Sequence, residues 1–355
     1  MFDFVAWSIW ANLAIFSASA AVVWSVGTRL VRLVDRLATQ TGIGHAFAGM
    51  LLLGGMVSLT EIATVSTSAV TGSPALALNN LLGSISINIF LLAAVDPLSG
   101  RKALTSFIAK PVMMFQGTLV ILLVALVSVA ITTGDYPIGG IGIWSSAIFI
   151  LCLFALWLSF KYEKQNVWKV SAELRRGDID QKARRKKKSS SGAKTAESLR
   201  VLIFKIVVAG IILFSAGFLL SLVGDAIADQ TGLGESFIGL VLVGISTSLP
   251  ELSSIVAALR IGRYEMAVGD ILGSNLFNVL LIFLVEVVYR GEPVLNQVGR
   301  FEVVASLLGV LMTAVLLLGL LERKDKTILK MGYDSCAIVA IFLGGVVLLF
   351  FLSEA

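Results

Sequence analysis

The stretch from Gly244 to Leu281, GISTSLPELSSIVAALRIGRYEMAVGDILGSNLFNVLL, carries a glutamate, a proline and several hydroxyl and amide side chains inside sequence apolar enough to lie in lipid. A second stretch, from Gly54 to Leu91, aligns with it without a gap, and we call the constant separation between matched positions the repeat offset. The residues that match at the repeat offset are Ser58 and Ser248, Glu61 and Glu251, Gly83 and Gly273, Ser84 and Ser274, and Asn88 and Asn278. A duplication built around polar residues within apolar segments is typical of secondary transporters.

The composition of the whole chain indicates an integral membrane protein, since hydrophobic residues make up 57% of the 355 positions and charged residues only 14%. A transmembrane helix needs about 20 mostly apolar residues. The windows that qualify are Phe4–Val26, Ala46–Val70, Ala75–Ala93, Pro111–Ile131, Ile141–Phe160, Val201–Val223, Ser236–Ala258, Met266–Val288, Val303–Leu321 and Ala337–Phe351. They lack the period-two alternation of a barrel strand, so we predict an all-α membrane protein with ten transmembrane helices.

The ten windows form two groups of five on either side of a basic connector. We predict a first five-helix half at residues 1–160 with its repeat motif at 40–92, a linker at 161–200, and a second five-helix half at 201–355 with its repeat motif at 230–282. Because five is an odd number, the second half enters the membrane in the opposite sense from the first. The two five-helix repeats are therefore predicted to be inverted.

Charge sets the predicted orientation in the lipid bilayer. The linker at 161–200 holds thirteen Lys or Arg residues against five Asp or Glu residues, and loops rich in positive charge stay in the cytoplasm. Alternation of the ten windows then places both termini outside, in a multi-pass protein of the cell membrane. Since the formal net charge of +5 is due to this linker, it does not indicate nucleic-acid binding.

The sequence offers little for covalent chemistry. It contains no Ser/His/Asp arrangement, phosphate-binding loop or dinucleotide-binding pattern, and His45 is its single histidine. Cys152 and Cys336 both fall in apolar windows, where a cysteine behaves as a small hydrophobic residue. We therefore predict that the chain is not an enzyme and has no covalently bound cofactor.

Two acids, Glu61 and Glu251, lie near the middle of their windows. A charged side chain at that depth costs on the order of 3 kcal/mol or more to insert, so each should face a cavity, a partner or an ion. The alternative is a protonated, hydrogen-bonded pair that only holds the bundle together. Repeated acids within a membrane are more often functional, and we predict an ion site.

Neighbouring residues extend the polar faces around these two acids. Ser58 and Ser248 each precede a glutamate by three residues, a spacing that puts the hydroxyl and the carboxyl group on one helix face. Pro250 lacks a backbone N–H and should break the seventh window beside Glu251. The resulting set of carboxylates, hydroxyls, amides and carbonyls contains no His or Cys and suits hard cations, either one Ca²⁺ or two or more Na⁺.

The segments GISTSLPEL and VGDILGSNLFNVL resemble the second repeat of the sodium/calcium exchanger (cation/Ca²⁺ antiporter) superfamily, and the duplication with ten helices is similar to its prokaryotic members. The resemblance implies a location in the bacterial inner, or plasma, membrane. It also implies that the first and sixth helices slide as a pair. The ion ligands that it implies are Ser58, Glu61, Ser84, Asn88, Thr247, Ser248, Glu251, Ser274 and Asn278.

The first repeat departs from the pattern of that superfamily. Thr60 stands where a proline is expected, Val57 where a threonine is expected, and Ile85 where an asparagine is expected. We therefore expect the second window to be less broken than the seventh. By the same resemblance, Asn278 stands where some relatives have an aspartate, which favours a sodium-coupled type over a potassium-dependent one. Asp270 stands where many relatives have an asparagine, and we interpret it as a residue of a gate or inner vestibule outside the central ligand set.

These observations predict a secondary antiporter that exchanges Na⁺ for Ca²⁺ by alternating access at a central all-oxygen site. The nearest alternative is exchange of Ca²⁺ or another cation for H⁺, because buried glutamates also bind protons. A cation channel or a membrane scaffold that transports nothing is the remoter alternative.

Overall fold

The computed structural model describes residues 4–100, 102–108, 110–163, 197–231, 247–322, 327–328 and 330–353, apart from the side chains of residues 225, 228, 229 and 353, and these residues are mostly helical. The helices are α1 Ile9–Thr41, α2 His45–Val57, α3 Leu59–Val70, α4 Pro74–Ala94, α5 Pro111–Thr133, α6 Ile143–Glu163, α7 Leu199–Thr231, α8 Leu249–Arg260, α9 Tyr264–Val288, α10 Arg300–Glu322 and α11 Tyr333–Ser353. Short 3₁₀ turns lie at Phe4–Ala6, Asp96–Ser99, Leu104–Phe107 and Val294–Gln297.

Two tight antiparallel hairpins complete the described structure. Strand β1 (Pro137–Ile138) pairs with β2 (Ile141–Gly142), and β3 (Thr327–Ile328) pairs with β4 (Met331–Gly332). Each hairpin leads directly into the helix that follows it, α6 or α11.

Each predicted window overlaps a described helix. Within the described residues, eight helices are long and apolar enough to cross a membrane, and α2 with α3 forms a further span that is bent by 41°. The prediction of an all-α membrane protein is confirmed. Residues 236–246 of the seventh window and 164–196 of the basic linker lie outside the described residues, and α8 is the described part of that window.

Helix α1 is longer than its predicted window, Phe4–Val26. It begins after Ser8, whose side chain accepts a hydrogen bond from the backbone N–H of Ala11, and ends at Gly42 in the left-handed conformation. A hydropathy window stops at charged residues, whereas the helix continues through Arg29, Arg32 and Arg36. At 33 residues it is about 50 Å long and exceeds the bilayer core of about 30 Å.

The repeat offset found in the motifs extends to the boundaries of whole elements. Helix α7 repeats the bounds of α1 at this offset, α8 repeats those of α3, and α11 repeats those of α6. Both hairpins also follow it. These described elements of the two halves thus follow one another in the same order.

Helix α9 is the centre of the fold, since it packs against α2, α3, α4, α5, α6 and α8. Glycines let its backbone touch that of α2. A Cβ atom added to Gly273 would lie 2.7 Å from both the Cα and the carbonyl carbon of Met50. Small residues of this kind permit close helix packing within a membrane, where it depends on van der Waals contact.

Two buried carboxylates join the halves reciprocally. Asp96, after α4, accepts hydrogen bonds from the backbone N–H of Leu104 at 2.7 Å and of Gly332 at 2.6 Å. Glu286, at the equivalent position in α9, accepts from the N–H of Val294 at 2.9 Å and of Gly142 at 2.8 Å. Each half therefore supplies an acid that binds the hairpin of the other half.

Candidate ion-binding site

The structure brings the predicted ligands to four places in the bundle. They lie at the bend between α2 and α3, on α4, at the start of α8 and on α9. All of them are buried, with no more than 8% of any residue exposed. In that order the residues are Ser58 and Glu61; Ser84 and Asn88; Thr247, Ser248 and Glu251; and Ser274 and Asn278.

The bend at Ser58 forms without a proline. A π-helical turn over Gly49–Leu53 precedes it, and the hydroxyl of Thr60 donates a hydrogen bond to the carbonyl of Val57 at 3.0 Å. A side-chain hydroxyl thereby occupies a carbonyl that the interrupted helix leaves without a backbone partner. The span formed by α2 and α3 is thus bent although it lacks a proline. That it is less broken than the seventh window stays a prediction, because residues 236–246 lie outside the described structure.

Helix starts position both glutamates. Glu61 is the third residue of α3, and Glu251 is the third residue of α8, whose first turn also accommodates Pro250. Negative side chains are stabilised in a first helical turn, where backbone N–H groups carry partial positive charge. The helix dipoles thus favour charged carboxylates at two positions where burial opposes them.

The two glutamates belong to one site. Ser58, Ser84 and Asn278 lie against the carboxyl group of Glu61, so residues from both halves surround it. Glu251 lies close enough to interact electrostatically with Glu61. The halves of the chain therefore share one acidic centre.

Many polar atoms of this centre have no hydrogen-bond partner among the described residues, although they are fully buried. They are Ser58 Oγ, Glu61 Oε2, Asn88 Oδ1, Glu251 Oε1 and Oε2, Ser274 Oγ, and Asn278 Oδ1 and Nδ2. Buried polar groups without partners are rare in proteins, and such a group costs about 1–3 kcal/mol, or more if it is charged. Their concentration in one place fits a site whose oxygens bind an ion.

Asn275 is a site residue that the sequence analysis did not identify as one. Its Oδ1 accepts a hydrogen bond from Asn88 Nδ2 at 3.0 Å, and its Nδ2 donates to the backbone carbonyl of Ile85 at 3.2 Å. The contact fixes the amide of Asn88 so that its unpartnered Oδ1 is the free acceptor. The available signal was the repeat itself, since Asn275 occupies the position that Ile85 holds in the first half.

Among the described residues, the side chains of this centre offer carboxylate, hydroxyl and amide groups rather than imidazole or thiolate groups. In the part of the chain that the structure describes, no three His, Cys, Asp or Glu side chains are arranged to hold a metal ion. The groups present are carboxylate, hydroxyl and amide oxygens, which suit Ca²⁺ and other hard cations.

Helices α1 and α7 flank the site and pack against each other along their length. Each also crosses a ligand-bearing helix at a glycine. A Cβ atom on Gly27 of α1 would overlap Ser253 Oγ of α8, and one on Gly217 of α7 would overlap Thr60 Cγ2 of α3. Gly27 and Gly217 are related by the repeat offset, so α1 and α7 each approach the facing helix closely at equivalent positions.

The comparisons with known proteins agree with this structure. The family described as "Sodium/calcium exchanger protein" matches residues 11–162 and 201–353. Inner membrane protein YrbG of Escherichia coli is 27% identical over 80% of this chain and 79% of its own length. Putative antiporter CaxA of Alkalimonas amylolytica is 24% identical over 96% of this chain and 98% of its own.

A solved structure shows the same fold. The sodium-calcium exchanger NCX_Mj, soaked with 10 mM Na⁺, superimposes with a TM-score of 0.70 at 18% identity, covering 96% of this chain and 99% of that one. The family match extends over most of both halves, including every residue of the site described above. This multi-pass membrane protein therefore belongs to the sodium/calcium exchanger family of membrane cation transporters.

Proposed function

We propose that the protein is a secondary antiporter that exchanges Na⁺ for Ca²⁺ at the site formed by Glu61 and Glu251. The observation that carries this proposal is the pairing of two buried carboxyl groups, one from each repeat, among oxygens without hydrogen-bond partners. Two carboxylates carry a charge of −2, which one Ca²⁺ or two Na⁺ neutralise. Exchange follows when only one kind of cargo satisfies the same oxygens at a time.

Calcium suits the number of donors available. It takes about six to eight oxygen ligands, including carboxylates that bind through one or two oxygens. The two glutamates, the amides of Asn88 and Asn278 and the hydroxyls of Ser58 and Ser274 supply such a set. Sodium needs fewer ligands of the same chemical type, so several Na⁺ ions divide these oxygens between them.

The packing of α1 and α7 supports alternating access. By the resemblance to the superfamily these are the sliding pair, and each crosses the site at a glycine, Gly27 or Gly217, where no side chain interlocks the helices. Movement of the pair along α3 and α8 would uncover the site first on one side and then on the other. Because we infer that the repeats are inverted, the state open to one side of the membrane should resemble the state open to the other side, with the two repeats in exchanged roles.

Uptake of radioactive Ca²⁺ into liposomes that contain the purified protein tests the exchange. Vesicles loaded with Na⁺ should accumulate Ca²⁺, and vesicles loaded with K⁺ should not. The variants Glu61→Gln and Glu251→Gln should lose uptake while they remain monodisperse in detergent. Glu302→Gln is a matched control, because it changes a buried acid outside the predicted ligand set, one that accepts a hydrogen bond from Gly299 N–H.

Exchange of Ca²⁺ for H⁺ is the second candidate, favoured by a third buried acid, Asp270, beside Glu251. A pH jump across K⁺-loaded vesicles distinguishes the two. Uptake driven by the pH jump and not by Na⁺ would contradict sodium coupling. Uptake that needs no gradient of either ion would indicate a channel, and absence of any flux or Ca²⁺ binding would indicate a scaffold.

We further propose that both termini lie outside and that the basic segment 161–200 lies in the cytoplasm. The support is the excess of Lys and Arg in that segment. Reporter domains that are active on only one side of the membrane, fused to either terminus or inserted in the segment, test the orientation. Activity of a cytoplasmic reporter at both termini would contradict it.

A further inference from the structure

A third buried acid extends the polar face of α9. Asp270, Ser274 and Asn278 follow one another at intervals of four residues, which places them on one side of the helix. Facing them on α8 are Glu251 and Ser254, three residues apart. The polar face therefore continues beyond the central site toward the start of α9, by about 6 Å of helix rise from Ser274.

The contacts of Asp270 leave its charge largely uncompensated. The side chain is fully buried, and its Oδ2 contacts the hydroxyl of Ser254. That hydroxyl also lies 2.9 Å from the backbone carbonyl of Glu251, and its single proton can be donated to only one of these acceptors. Asp270 Oδ1 has no partner among the described residues, and no described Lys or Arg forms an ion pair with Asp270.

The first repeat has no such acid. At the repeat offset, Asn80 takes the place of Asp270 and Thr64 the place of Ser254. The hydroxyl of Thr64 donates to the backbone carbonyl of Thr60, a local bond within α3. The additional carboxyl group thus lies on one side of the two-fold site only, next to Glu251, with which it interacts electrostatically.

We propose that Asp270, Ser254 and Glu251 form a second cation station that adjoins the central site and takes a monovalent cation, namely Na⁺ in the exchange cycle. The unpartnered oxygens are Asp270 Oδ1 and the two of Glu251, fewer than the six to eight that Ca²⁺ takes. Glu251 serves both places. A Na⁺ ion at the station therefore draws Glu251 away from Ca²⁺ and takes part in displacing it.

This inference rests on the proposed function, and one set of binding measurements separates the two. Radioactive Na⁺ and Ca²⁺ are bound to the purified full-length protein in detergent, and the number of ions per chain and the displacement of Ca²⁺ by Na⁺ are measured. If the wild-type protein binds Ca²⁺ that Na⁺ does not displace, the proposed function fails. If displacement occurs, the variants test the station alone.

Asp270→Asn keeps the shape of the side chain and removes its charge. We expect it to bind one Na⁺ fewer per chain at saturation and to need about fivefold more Na⁺ for half-displacement, while Ca²⁺ affinity without Na⁺ stays within about twofold. Glu302→Gln should bind both ions as the wild type does. An unchanged Na⁺ number in Asp270→Asn overturns the station, and so does a loss of Ca²⁺ binding, which would place Asp270 in the central site.

A second variant keeps the test decisive if Asp270→Asn does not fold. Ser254→Ala retains all the carboxyl groups and removes one oxygen of the station. We expect the number of bound Na⁺ ions to stay the same while half-displacement of Ca²⁺ needs more Na⁺. A displacement curve identical to that of the wild type would overturn the participation of Ser254 and, with it, the station.

Discussion

Substitution of Gly27 by alanine should destabilise the protein through one oxygen atom. The added Cβ would overlap Ser253 Oγ, whereas the next atoms, Ser253 Cβ and the Pro250 carbonyl oxygen, lie at 3.3 and 3.7 Å. Ser253 Oγ donates a hydrogen bond to that carbonyl at 2.8 Å. The clash is therefore relieved either by rotating the hydroxyl, which breaks the bond, or by moving α1 away from α8.

The way in which the clash is relieved determines how much stability Gly27→Ala loses. Loss of a hydrogen bond reduces the free energy of unfolding by about 0.5–1.5 kcal/mol, and overpacking of a rigid contact reduces it by about 1–3 kcal/mol. Ser253→Ala alone should cost about as much as the bond. In the double variant the nearest remaining atom of residue 253 is its Cβ at 3.3 Å, a tight contact without overlap, so Gly27→Ala should add less than it does in the wild type.

The assay is a double-mutant cycle on denaturation midpoints of the full-length protein in detergent, followed by tryptophan fluorescence. We expect a coupling of about 0.5–3 kcal/mol that favours the double variant. Uptake of Ca²⁺ by Gly27→Ala should slow by about tenfold for each 1.4 kcal/mol that enters the transport barrier, with Ca²⁺ binding retained. A double variant whose loss of stability equals the sum of the two single losses would refute the reasoning.

Two further predictions concern the centre of the bundle. Gly273→Ala should abolish uptake and lower the denaturation midpoint sharply, because its Cβ would be forced against the backbone of Met50. The control Gly344→Ala should be neutral, because an added Cβ there meets nothing within 4 Å. Equal midpoints for the two variants would contradict the close packing. Asn275→Ala should weaken binding of radioactive Ca²⁺ by about tenfold, because Asn88 loses the partner that orients its Oδ1, and unchanged affinity would contradict that role.

The sequence predicted the central acids for a physical reason. A carboxylate in an apolar window needs compensation, and its recurrence at a fixed offset in Glu61 and Glu251 indicates that the two halves use it alike. The structure places both in one centre with the predicted hydroxyls and amides, all of them buried. Their role as ion ligands is still a prediction, which the transport and binding assays test.

Contacts between the halves were beyond sequence reasoning. Asn275 was missed because its partners, Asn88 and the Ile85 carbonyl, lie in the other half of the chain, far from it in sequence. Periodicity reports which residues share a helix face and says nothing about which helix lies opposite. The length of α1 was missed because hydropathy stops at a charge, whereas backbone hydrogen bonds continue until a residue such as Gly42 ends them.

The hydrogen bonds of Asp96 and Glu286 have the geometry of a two-fold dimer interface, in which residue i of one copy meets residue j of the other and the reverse contact occurs as well. Here a single polypeptide contains both copies. Separated from its companion, either half would retain a buried carboxylate lacking one of its donors and a hairpin amide lacking its acceptor. The two halves expressed apart should therefore be stable only when they are made together and can associate.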